Sequence, residues 1–142
     1  MTRLLFDTIF LVDAERTGDD LDAVIDDSDD VAIAAVTVAE LRVGALLANR
    51  RSKAARSAYV ADIIATVPVL DYDLEVAEAH AELLVEVRSQ GKPRGAHDLI
   101  IAATARAFDR TIISADRSAF RDLPGVGVRS PTWRRRRGID GQ

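Results

Sequence analysis

The chain has 142 residues, is 48% hydrophobic and 30% charged, and carries a net charge of −4, which suits one soluble domain around one core. No apolar run is long enough to span a bilayer, and the opening MTRLLFDTIFLVDAE is cut by Asp7 and lacks a small-residue cleavage site, so neither membrane insertion nor a secretory signal is expected. The absence of cysteine excludes disulfides and thiolate metal sites and agrees with a cytoplasmic location.

In chain order, Arg3 to Phe6 reads as a short buried strand ending at Asp7, and Ile9 to Glu15 as a helix closed by Gly18. Leu21, Val24 and Ile25 recur at helical spacing among acids, predicting a second amphipathic helix to about Asp27. Val31 to Val36 is a continuous apolar run suited to a central parallel strand. Helices are expected over Thr37 to Asn49 and Ser52 to Thr66, then a strand over Pro68 to Leu70. Asp73 to Gln90 is the longest expected helix, with Gly91 and Pro93 as its stop signals. A nearly all-apolar, buried helix follows over Asp98 to Phe108, then a strand at Thr111 to Ile113, a helical turn at Arg117 to Phe120 and a last strand at Val126 to Val128. Strands alternating with helices favour an α/β fold, a three-layer α/β/α sandwich with a parallel sheet of roughly five strands. The expected division is one domain over 1–130 and a basic, loosely ordered or partner-dependent tail over 131–142.

Charge is unevenly placed. Acids crowd Asp19 to Asp30, whereas Arg42, Arg50, Arg51, Lys53 and Arg56 form a basic stretch and Arg88, Lys92 and Arg94 another. Arg134 to Arg137 close the chain with a basic run, without which the acidic excess would double. Such segregation can hold a polyanion on one side, although each basic group also reads as a solvated face.

Four acids carry the chemistry: Asp7 in RLLFDT, Glu40 in VTVAEL, Asp98 in AHDLIIAATA and Asp116 in TIISAD. Singly, each reads as a helix cap. Thr37-x-x-Glu40 has capping-box spacing, Asp98 precedes an apolar run, and Asp116 precedes a turn. Jointly they read as a carboxylate pocket, because acids at strand-to-helix junctions of one parallel sheet can face a single crevice. Such a pocket needs a hard divalent cation such as Mg²⁺, one ion or two, which would activate water toward a phosphodiester. The hydroxyls of Thr8, Thr37 and Ser114 could orient the carboxylates or bond local backbone.

At these residues the chain resembles the PIN-domain ribonucleases, and among them the VapC toxins of bacterial toxin–antitoxin pairs. The matching text is LLFDT, VTVAELRVGALLA, AHDLIIAATA and TIISADRSAFRDLPGVGV, in that order, over nearly all of residues 4–128. The resemblance implies a parallel five-stranded sandwich and Mg²⁺- or Mn²⁺-dependent endonucleolytic cleavage of RNA. It also implies a homodimer and a small cognate, VapB-like antitoxin that wraps the toxin. By it, Asp7, Glu40, Asp98 and Asp116 are the catalytic acids, with Asp7, Asp98 and Asp116 the metal ligands. Arg42, Arg50, Arg51, Lys53, Lys92 and Arg94 are the expected RNA-binding rim. The chain departs from the family pattern at Ile9, often polar there, at Ser114, often Thr, and at Asp109-Arg110, where relatives have glycine.

Two other readings remain. The order His80, His97-Asp98, Asp116 is that of HD-type phosphohydrolases, whose fold is all-helical. A non-catalytic α/β interaction module would use the same acids only as caps. No G-x-x-x-x-G-K-[ST], G-x-G-x-x-G or G-x-S-x-G is present.

Overall fold

The computed structural model describes residues 1–133; the arginine run Arg134 to Arg137 and the remaining residues 138–142 of the expected tail lie outside the described residues. Five parallel strands, β1 (Arg3–Phe6), β2 (Asp30–Ala34), β3 (Val69–Leu70), β4 (Thr111–Ile113) and β5 (Val128–Arg129), form one sheet in the order β3-β2-β1-β4-β5. The helices are α1 (Thr8–Thr17), α2 (Ala35–Leu47), α3 (Arg50–Thr66), α4 (Leu74–Gln90) and α5 (Ala96–Ala107). None of the described helices is long and apolar enough to cross a membrane.

The period-two alternation of β1 divides the core into two clusters. Leu4 and Phe6 pack with Ile33, Ile113, Phe10, Leu41 and Ile63 on the face covered by α1, α2 and α3. Leu5 packs with Ala32, Ile112, Val76, Leu83 and Leu99 on the face covered by α4 and α5. Both faces of the sheet are thus buried, as a continuous apolar strand requires. The expected three-layer sandwich is the observed one.

The sheet order reverses between β1 and β4. Asp7 follows β1 and Asp116 follows β4, so both acids emerge at the crevice where parallel sheets form their ligand sites. At the opposite end of the strands Arg110 is a clamp. Its side chain is 7% exposed, and Nη1 donates to the carbonyls of Leu4 and Asp30 and to Asp30 Oδ1 at 3.2, 2.9 and 3.0 Å. The preceding Asp109 has φ 52°, a left-handed conformation that favours glycine.

Several boundaries differ from expectation. The helix expected over Leu21 to Asp27 is only a 3-10 turn at Leu21–Ala23. Acid side chains there bind nearby backbone: Asp20 Oδ1 accepts from Asp22 N, and Asp29 Oδ2 from Asp26 N. These bonds compete with helix propagation, and Asp22, Asp26 and Asp30 would repel at i,i+4 spacing. The β2 strand stops at Ala34 and α2 begins at once, two residues before the expected start at Thr37. At the start of the expected tail, the Trp133 indole stacks on Phe10 with centroids 5.6 Å apart.

Candidate active site

Asp7 ends β1, caps α1 and is 2% exposed. Its Oδ1 accepts from Phe10 N at 2.8 Å, and its Oδ2 accepts from Ser114 Oγ. Burial pushes its pKa from 3.8 up to about 6, the charges of Asp98 and Asp116 push the same way, and the bonds from Ser114 and Phe10 oppose them. The same Ser114 hydroxyl accepts from Asp116 N at 3.0 Å, so one buried oxygen joins the ends of β1 and β4.

Glu40 is carried by the second turn of α2. Thr8 Oγ1 donates to its Oε1 at 2.8 Å and shares a 3.2 Å hydroxyl bond with the fully buried Thr37. Its Oε2 lies 3.5 Å from His97 Nδ1. Asp98 is the third residue of α5, whose N-cap is Gly95. Its pKa is raised, first by burial, then by the charges of Glu40 and Asp116, with His97 opposing. A Cβ on Gly95 would lie 3.0 Å from Asp98 Oδ2, so a larger residue there would crowd this carboxylate.

Asp7, Thr8, Glu40, Gly95, His97 and Asp98 line one open cleft of about 600 Å³, with Ile9 and Val12 as its apolar wall. Asp116 is exposed and does not line it, although its charge is felt by both Asp7 and Asp98. Asp116 Oδ1 accepts instead from Ser118 Oγ at 2.5 Å.

Capping therefore explains little of this arrangement. The capping box expected of Thr37 and Glu40 does not form, because Thr37 lies inside α2 and Glu40 is engaged by Thr8 and His97. Asp98 is not the N-cap, and Asp116 makes no side-chain cap bond. Only Asp7 caps a helix. The HD-type order fails on the parallel sheet, and His80 sits on α4 with its Nδ1 2.8 Å from Tyr72 Oη, away from the acids' cleft lining.

The expected basic rim does not line the cleft. Arg42, Arg50, Arg51, Lys53 and Lys92 are exposed, and among the described residues no lysine or arginine lines the cleft. Arg94 is committed to backbone, its Nη1 and Nη2 donating to the carbonyls of Ser118 and Arg121 at 2.9 and 2.7 Å. His97 is the cleft residue whose place the sequence reading missed; its adjacency to Asp98 in AHD was the available signal.

Among the described residues, none of the four acids pairs with lysine or arginine, so negative charge accumulates around a buried carboxylate. This all-oxygen donor set fits a hard divalent cation. Among the described residues no three acidic or imidazole groups are drawn together into a ready chelate, the expected set of Asp7, Asp98 and Asp116 included. A cation held here would keep part of its water shell, as Mg²⁺ commonly does.

Known proteins carry the same arrangement of segments. The chain is 31% identical over 103 residues to VapC ribonuclease Y4jK of Sinorhizobium fredii, covering 70% of this chain and 73% of that one. Its fold superposes on VapBC2 from Rickettsia felis, solved bound to a promoter DNA fragment, with a TM-score of 0.82 at 20% identity, over 92% of this chain and 100% of that one. It also superposes on VapBC-5 of Mycobacterium tuberculosis, a member of the VapBC family of toxin–antitoxin systems, with a TM-score of 0.74 at 27% identity, over 90% and 98% of the two chains. The PIN domain model matches residues 4–126, a span that contains all five helices, β2, β3 and β4, all of β1 but Arg3, and every acid of the cleft, and the chain belongs to the PIN domain family.

Proposed function

We propose that this chain is the ribonuclease toxin of a toxin–antitoxin pair and hydrolyses RNA phosphodiester bonds with the help of Mg²⁺ or Mn²⁺. One observation carries the reading: Asp7, Glu40 and Asp98, from three separate segments, line one cleft at the carboxyl edge of the sheet, the charge of Asp116 acts on two of them, and among the described residues no lysine or arginine pairs with any of the four. The relative named VapC ribonuclease supports RNA as the substrate, and the superposed member of the VapBC family supports an antitoxin as the partner. A homodimer and a cytoplasmic site of action belong to the same reading.

Asp7, Asp98 and Asp116 would hold the cation, which when bound supplies charge neutralisation and Lewis-acid activation of water. The chain's own residues set the geometry. Phe10 N and Ser114 Oγ fix both oxygens of Asp7, so its carboxylate is oriented before anything binds. Thr8 fixes Oε1 of Glu40, which leaves Oε2 toward the cleft beside His97 to accept a proton from an attacking water. The purified chain, incubated with end-labelled cellular RNA, is expected to cleave it with Mn²⁺ or Mg²⁺ and to stop when EDTA is added. Cleavage that persists in EDTA, or its absence with either ion, contradicts the proposal.

A further inference from the structure

We propose that Arg94 is a positioning residue: its guanidinium fork fastens the segment after Asp116 to the linker before Asp98 and so sets the gap between those two carboxylates. The inference rests on the nuclease reading above and goes beyond it. Arg94 is half-buried in the linker between α4 and α5, four residues before Asp98. Its two terminal nitrogens reach 24 and 27 positions along the chain, to the carbonyls of Ser118 and Arg121. Ser118 lies inside the 3-10 turn Arg117–Ala119, which starts beside Asp116, and Arg121 lies just after it.

Neighbouring contacts show that this loop is built to be held. Gln90 Nε2 donates to the Asp122 carbonyl at 2.9 Å, and Asp122 takes a left-handed φ of 62°. Phe120 and Leu123 sink into the core beside Leu99, the residue after Asp98. At the other end of the linker, a side chain in place of Gly95 would crowd the Asp98 carboxylate, its Cβ 3.0 Å from Oδ2. One short linker therefore touches Asp98 at one end and, through Arg94, holds the loop of Asp116 at the other.

The role is geometric rather than electrostatic. Arg94 does not ion-pair with any acid of the site, and it is not among the charges that act on Asp98. A planar fork that spans two carbonyls cannot be replaced by the single ammonium of lysine. If Arg94 instead met RNA phosphates as part of a basic rim, lysine would serve.

The test compares wild type with Arg94→Lys and Arg94→Gln in two measurements on the full chain: Mn²⁺ affinity by calorimetry without RNA, and amide hydrogen exchange. Both variants are expected to bind Mn²⁺ roughly tenfold more weakly, the effect of disturbing groups that orient metal ligands. Exchange should quicken over 116–121 while β1 and α4 stay protected. An Arg94→Lys variant with wild-type affinity and exchange overturns the proposal, since charge would then suffice. Faster exchange with unchanged Mn²⁺ affinity also overturns it, because Arg94 would then merely brace a loop. If wild type itself binds no Mn²⁺, the nuclease reading fails and the proposal that rests on it falls with it, an outcome set apart from the other two because it is read on wild type alone.

Discussion

Asp98→Asn is expected to lower the rate of Mn²⁺-dependent RNA cleavage on the order of 10³-fold, the scale of removing a group that stabilises developing charge. The amide keeps the size of the carboxylate and removes its charge. The fold should survive, because Gly95 rather than Asp98 caps α5 and no cap bond is lost. Without metal the variant should be as stable as wild type or more so, since Asp98 is held among the like charges of Glu40 and Asp116. Single-turnover cleavage and thermal unfolding in EDTA check the two halves. A variant that loses both activity and metal-free stability would make Asp98 a structural acid instead.

The metal-free protein is expected to lose stability as pH rises, through Asp7. Its pKa is 3.8 in the unfolded chain and about 6 in the folded one, so between those values the folded state holds the extra proton. The contribution is favourable below the unfolded value and is lost as pH climbs through the folded one, at a cost of about 3 kcal/mol once both forms are ionised. Asp7→Asn removes the titration but keeps an oxygen to accept from Phe10 N. Its stability relative to wild type, from urea unfolding in EDTA, should therefore grow by about 2–3 kcal/mol between about pH 4 and pH 7.5. A divalent cation should narrow that difference by stabilising the ionised wild type alone. A constant difference across the range would mean that Asp7 is not ionising against burial. The opposing effects of this one residue on metal-free stability and on activity fit a stability–function trade-off.

The sequence carried the architecture because its strong signals are local. LLF before Asp7, VAIA before α2 and TII before Ser114 are apolar runs that only a covered parallel sheet buries, and Gly91 ends α4 with φ 65° as its place after Gln90 implied. It misled where local propensity and tertiary contact disagree. The Asp19 to Asp30 stretch has helical spacing of apolar residues, but its acids bond to their own backbone. The Thr37-x-x-Glu40 spacing imitates a cap, whereas both side chains reach to Thr8 on α1. Glu40, whose spacing from Thr37 reads as a cap, is thus a cleft residue in contact with two other segments. Arg94 was illegible for a related reason. Arginine looks alike in a sequence whether it faces phosphate or carbonyl, and only the fold places Ser118 and Arg121 within its reach.

The central claim, a carboxylate cleft built for a divalent cation, is tested most directly by titrating Mn²⁺ into the metal-free wild-type chain by calorimetry. Near pH 6, in two buffers of different protonation enthalpy, saturable binding should release protons, because Asp7 is about half protonated there and a cation must displace that proton. Asp98→Asn should bind far more weakly. Equal heats for wild type and Asp98→Asn, or no saturable binding at millimolar Mn²⁺, would contradict the account.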